Sequence, residues 1–178
     1  PLLQARVSAE EKTASKRVAE LVTNWSTEKP LRGNLPPSDA LGLLASYEFN
    51  LNKAKMHQEN LIKAKDALGL EHTAESDAIS ECLIEVADLK EVWEATRKPH
   101  DELREIKELT WSSAVMRKVR RSLDDLLVEM RSLPNKIRQY DAYNHIHDEV
   151  KNYITGHGFL SDLKSEALKE RHWKMIMK

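Results

Sequence analysis

Apolar residues recur at intervals of three and four along nearly the whole chain, with charged residues between them, a spacing that predicts long amphipathic helices. The first stripe, within about Ser8 to Glu28, is Ala14, Val18, Leu21 and Trp25. "KPLRGNLPPSD" then breaks the helix, because its prolines and glycine cannot continue one, and Ser38 or Asp39 is expected to cap the next. From Asp39 to Leu68, the residues Leu44, Tyr47, Leu51, Ala54, Leu61 and Leu68 form a heptad-like stripe, with Gly69 as a C-terminal stop.

A third helix is expected from about Thr73, with Ile79, Leu83, Val86, Leu89 and Trp93 on one face. The short connection before it implies an antiparallel neighbour. Pro99 removes a backbone donor and disfavours helix at Lys98, so a break is expected there, with resumption to about Leu109. After "LTWSSA" the stripe returns as Val119, Leu123, Leu126, Met130 and Leu133. Pro134 fits the first turn of another helix with Ser132 as cap, followed by Ile137, Tyr140, Tyr143 or Asn144, Ile146 or His147, Val150 and Ile154. "TGHGF", residues 155–159, is expected to end it, and the remainder reads as one or two short helices. No strand-like alternation occurs. The fold class expected is all-α: an elongated antiparallel bundle of about five to seven helices.

Composition narrows the function classes. The 28 Lys and Arg nearly balance 29 Asp and Glu, so there is no net field to attract a polyanion, and a nucleic-acid partner gains no support. No apolar run approaches the roughly 20 residues of a membrane helix, and "PLLQARVSAEEK" lacks the order of a secretory signal. A start without Met fits a piece of a longer polypeptide. Cys82 is the only cysteine, which excludes an internal disulfide, fits the cytosol best, and reads as a small core residue.

Motifs for chemistry are missing. No GxxxxGK[ST] stretch exists to surround phosphates with backbone amides. His145 and His147 are two apart, so on a helix they diverge, unlike the i, i+4 pair of a zinc site. Arg117, Lys118, Arg120 and Arg121 could contact a phosphate backbone or an acidic tail, but the stripe beneath them and the following Asp124 and Asp125 favour a solvated helix side. Trp25 and Trp93 fall on apolar stripes and read as core, whereas Trp111 and Trp173 lie near expected helix ends. No catalytic, cofactor-binding or metal-ligating residue is assigned.

The C-terminal third carries a resemblance. "WSS" at Trp111 and Ser112, "LPNKIRQYDAY" with Leu133, Pro134, Arg138, Tyr140 and Tyr143, and "LKSEALKERHW" with Leu163, Ser165, Glu166, Ala167, Leu168, Arg171, His172 and Trp173 are similar to the cytoplasmic dynein heavy chain family. The likeness lies where the tail passes into the motor's linker. It is strong from Thr110 to Lys178 and looser over residues 75–109, and "HIHDEVKNYITGHGFLSD" is more polar than that family's pattern.

The resemblance implies a helical bundle of the heavy-chain tail over residues 1–109, then a tail-to-linker junction and the start of the linker over 110–178. It implies a non-catalytic piece of a minus-end-directed microtubule motor in the cytoplasm and cytoskeleton. ATP and Mg would belong to the AAA+ ring of the parent chain, with no cofactor in these residues. The partners implied are the rest of the heavy chain, a second heavy chain, intermediate, light intermediate and light chains, and microtubules, with no nucleic acid and no membrane. Pro99 and Gly156 to Gly158 are expected compliant points in such a force-transmitting segment, and Trp173 is expected to be covered only by chain beyond Lys178. The alternative is a spectrin-like scaffold or adaptor outside any motor.

Overall fold

In the computed structural model, residues 2–71, 77–109 and 116–163 are described, the side chains of the last stretch as far as Phe159. These residues form six helices and no strand: α1 (Leu2–Glu28), α2 (Pro37–Ala67), α3 (Ala78–Glu108), α4 (Met116–Arg131), α5 (Asn135–Arg138) and α6 (Asp141–Leu163). The all-α expectation and the helix number are met. The contacts cluster into two units, Pro1–Glu94 and Ala95–Lys178, and the divide falls inside α3.

In the first unit, cross-helix pairs give the directions. Glu11 meets Lys65 and Glu28 meets Tyr47, so α2 runs antiparallel to α1. Glu48 meets Lys90, while Trp25 meets Glu85 and Pro30 meets Trp93, which places α3 alongside α1 in the same direction. The core between them holds Val18, Trp25, Leu44, Leu51, Ile79, Val86 and Leu89. Cys82 is buried there rather than Leu83, which is half-buried.

Helix α2 starts two residues before the expected Asp39. Pro36 is the N-cap residue and Pro37 the first helical one, with no side-chain cap from Ser38 or Asp39. The fixed φ of proline suits a first turn, whose amide has no partner in the helix. Gly69 does end the helix: it takes φ +66°, Gly69 N–H donates to Asp66 O, and Leu70 N–H donates to Lys65 O. That pair of bonds is the Schellman closure, which needs the left-handed conformation that glycine adopts without strain.

In the second unit, α4 and α6 are antiparallel, with the Tyr143 hydroxyl near the start of α6 donating to Met130 O near the end of α4 at 3.1 Å. Leu103, Val119, Leu123, Leu126, Met130, Ile146 and Val150 fill the space inside. Two expected breaks are absent. Pro99 lies within α3, and α6 continues through Gly156 and Gly158 to Leu163. In both places the buried stripe runs on: Val92, Thr96, Pro99 and Leu103 on α3, and Tyr143, Ile146, Val150 and His157 on α6. Glycine in a helix costs about 1 kcal/mol relative to alanine and proline about 3, amounts that burial of a few large side chains offsets.

The chain between α4 and α6 also differs from expectation. Ser132 Oγ donates back to Glu129 O at 2.6 Å instead of capping forward, and Pro134 takes the N-cap position of the four-residue α5. The helix expected from Pro134 to Ile154 is therefore two helices, divided at Gln139 and Tyr140.

Candidate functional site

The polar groups buried in the first unit are arranged to hold helices together. Trp25, 1% exposed, meets the Tyr47 ring edge-on at a centroid distance of 5.1 Å. Its indole N–H donates to Glu85 Oε2 at 2.8 Å, and the same oxygen accepts from Lys29 Nζ at 3.3 Å. The Tyr47 hydroxyl donates to Glu28 Oε2. Trp93 Nε1 donates to Pro30 O at 3.0 Å, so the loop after α1 is tied to α3. Stripe periodicity identifies Trp25 and Trp93 as core but cannot find these partners, since Glu28 and Glu85 belong by sequence to polar faces.

Burial first, then the hydrogen bond and charge of Glu28, push the Tyr47 phenol up to about 12 from its ordinary 10.0. The folded state thus favours the neutral phenol. Its stabilising contribution is fully present below the unfolded value and is lost as pH rises through the folded one. Urea unfolding of Tyr47→Phe and the parent chain should therefore differ less at pH 12 than at pH 9. A constant difference across that range would sink the assignment.

These groups do not suit covalent chemistry. Burial, followed by the charges of Glu85 and Glu81, pushes the Cys82 thiol up, away from the thiolate that a nucleophile requires. Among the described residues, no three of His, Cys, Asp and Glu gather as a metal site. His145 Nε2 lies 3.8 Å from Glu149 Oε1, whereas the His147 ring stacks on Tyr143 at 5.5 Å, so the two histidines serve different neighbours.

The signature residues of the sequence divide into those the structure places and those outside the described residues. Tyr143 is buried and bonded to Met130 O; Leu133 and Tyr140 are half-buried; Pro134 is exposed. Exposed Arg138 donates to Asn135 Oδ1 across the single turn of α5. Of the "LPNKIRQYDAY" stretch, then, Ile137, Ala142 and Tyr143 are buried and Arg138 holds a local turn. Leu163 is the last described backbone position of α6. Trp111, Ser112, Ser165, Glu166, Ala167, Leu168, Arg171, His172 and Trp173 lie outside the described residues, and with Trp173 the expectation about its cover.

Comparison with known proteins decides the family. The family described as "Dynein heavy chain, N-terminal region 2" matches residues 79–178, more than half of the chain. The chain belongs to the dynein heavy chain family. Its similarity to cytoplasmic dynein heavy chains extends over practically all its residues: 38% identity over 183 aligned residues to that of Dictyostelium discoideum, covering 100% of this chain. Identity to the Caenorhabditis elegans heavy chain is 37% and to the Drosophila melanogaster one 33%, each over 99% of the chain. The N-terminal part, which by sequence pattern is only a compatible helical texture, is thus included in the dynein likeness. The chain spans about 4% of the length of each of these heavy chains.

Proposed function

We propose that this dynein segment joins the cargo-binding tail to the linker of a minus-end-directed microtubule motor and transmits force without chemistry of its own. Residues 1–109 would be a bundle of the tail, and 110–178 the junction and the start of the linker. The observation that supports this most is the continuity of buried stripes: α3 runs 31 residues through Pro99, and α6 runs 23 residues through two glycines. Close-packed helices of this kind resist deformation and pass displacement along their length. Helical continuity at Pro99 and Gly156 to Gly158 argues against placing compliance there.

On this reading the chain acts within a cytoplasmic, microtubule-associated dynein complex. A second heavy chain and the intermediate, light intermediate and light chains assemble around the tail, and ATP and Mg are used in the AAA+ ring. The test is a heavy chain with a flexible Gly/Ser insertion of about 20 residues placed after Lys178; such an insertion behaves as a random coil. Stall force in an optical trap should fall while ATP turnover at zero load stays unchanged. An unaltered stall force would show that load does not pass through this segment.

A further inference from the structure

Two solvent-facing surfaces of the first unit carry opposite charge. Between α1 and α2 lies an open groove of about 480 Å³. Ala14, Val18, Leu21 and Ala54 give it apolar walls, and Met56, 63% exposed, adds a flexible apolar side chain. Arg17 and Lys53 also line it, both exposed and in no ion pair among the described residues. Among the described residues no acidic side chain lines the groove. Glu10 Oε1 lies 3.4 Å from Nε2 of His57, a further lining residue, which leaves Arg17 and Lys53 as the charges to be met.

Helix α3 carries the complement. Residues 77–94 hold six acidic side chains and a single basic one, Lys90, which is paired with Glu48 at 3.0 Å. Glu81, Ile84, Asp88 and Glu91 follow one another at intervals of three and four, so they form one ridge on the helix. Ile84 stands 63% exposed within that ridge. Acidic side chains three and four apart repel one another and cost helix stability, and an exposed isoleucine among them adds nothing to the core. Both become favourable against a surface that is apolar and cationic. Val86, Leu89 and Trp93 turn the other side of α3 into the core, and no residue of α3 lines the groove, so one copy does not fill its own.

We propose that the α3 ridge of one copy docks in the α1–α2 groove of a second copy of this chain, a head-to-tail contact between heavy-chain segments. Ile84 is the apolar anchor, entering beside Leu21, Ala54 and Met56, while Glu81 and Asp88, about one turn to either side, meet Arg17 and Lys53. Recognition of this kind lays one face of a helix into an apolar groove through anchors at helical spacing, and the opposite charges fix register and exclude other partners. Charge complementarity selects the occupant: the chain itself carries the acidic, isoleucine-bearing helix that the cationic groove fits. Because the contact joins two different patches, it does not close on itself as a two-fold dimer does, and each added copy offers a free ridge or a free groove. This inference is independent of the force-transmitting role.

The test is sedimentation velocity of the 178-residue chain at low salt over a range of concentrations. The weight-average sedimentation coefficient should rise with concentration, and about 1 M salt, where the Debye length is about 3 Å, should reverse most of the rise. Ile84→Asp, and separately Arg17→Glu with Lys53→Glu, should each lower the association constant at least about tenfold, since like charges brought together across an interface are strongly disfavoured. All three positions are exposed, so the thermal midpoints should stay with the parent. Mixed in equal amounts, the two variants should form a 1:1 dimer that grows no further, because only the groove of the Ile84→Asp chain and the ridge of the other remain intact. A chain that stays monomeric up to about 1 mM would overturn the proposal and leave the groove to another part of the heavy chain or to a different protein. Association unchanged by either variant, or mixed variants that do not pair, would overturn it equally.

Discussion

Replacing Trp93 by alanine is expected to cost the first unit about 3–5 kcal/mol, the range for truncating a buried large aromatic side chain. Trp93 is 2% exposed, and its indole N–H is the donor that Pro30 O accepts. Truncation removes the ring that fills the α1 to α3 space and leaves a buried carbonyl without that donor, which adds to the cavity cost. Against total stabilities of about 5–15 kcal/mol this is a large share. The thermal midpoint of a unit of this size should fall by on the order of 20 °C, at several degrees per kcal/mol. Trp93→Phe keeps most of the packing and loses the hydrogen bond, so it should fall between the parent and Trp93→Ala. Ile84→Ala, at a position 63% exposed on the same helix, should change stability by no more than about 0.5 kcal/mol. Equal midpoints for Trp93→Ala and Ile84→Ala, read by circular dichroism, would show that Trp93 is not the anchor its burial implies.

The contrast between those two α3 positions also shows how much the sequence makes legible. Helix existence follows directly from the three-four spacing, because burying one stripe is what stabilises each helix; the stripes of α1 and α4 match the buried residues closely, whereas on α2 Leu44, Tyr47 and Leu51 are buried but Ala54, Leu61 and Leu68 are half-buried and Lys65 is buried among them. Gly69 is legible for a local reason, a positive φ that closes α2. Pro99, Gly156 and Gly158 mislead for the opposite reason. Their local preferences amount to a few kcal/mol at most, and the stripe that overrides them is made by neighbours distant in sequence. His157 could have been noticed, since it stands seven residues after Val150 on the same helical face. That its Nε2 is buried without a hydrogen-bond partner could not, because satisfaction of a buried nitrogen depends on what the facing helix brings. The dynein likeness is carried by specific strings in the C-terminal third, and most of the "LKSEALKERHW" residues lie outside the described residues. In the described part of the signature, only Tyr143 combines a family match with a buried, hydrogen-bonded role.

Leu123→Ala is the second substitution with a large expected effect, and it falls in the other unit. Leu123 is fully buried at 0% exposure in the middle of the α4 stripe, between Val119 and Leu126, with Met130 one turn further on. Removing three buried carbons leaves a cavity that packed neighbours close only in part, and Leu→Ala at such sites costs about 2.7–5 kcal/mol. The loss should appear as a lower urea midpoint with an unchanged slope, because the surface exposed on unfolding is nearly the same. Leu123→Met keeps the volume and should cost less than about 1.5 kcal/mol. Val128→Ala, 66% exposed on the same helix, is the matched control for helix propensity, and alanine is the better helix former of that pair. In amide hydrogen exchange, faster exchange in Leu123→Ala should concentrate in α4 and in the α6 residues around Ile146 and Val150. If Leu123→Ala and Val128→Ala unfold at the same urea concentration, the stripe does not hold the second unit together, and the force-transmitting reading loses its physical support.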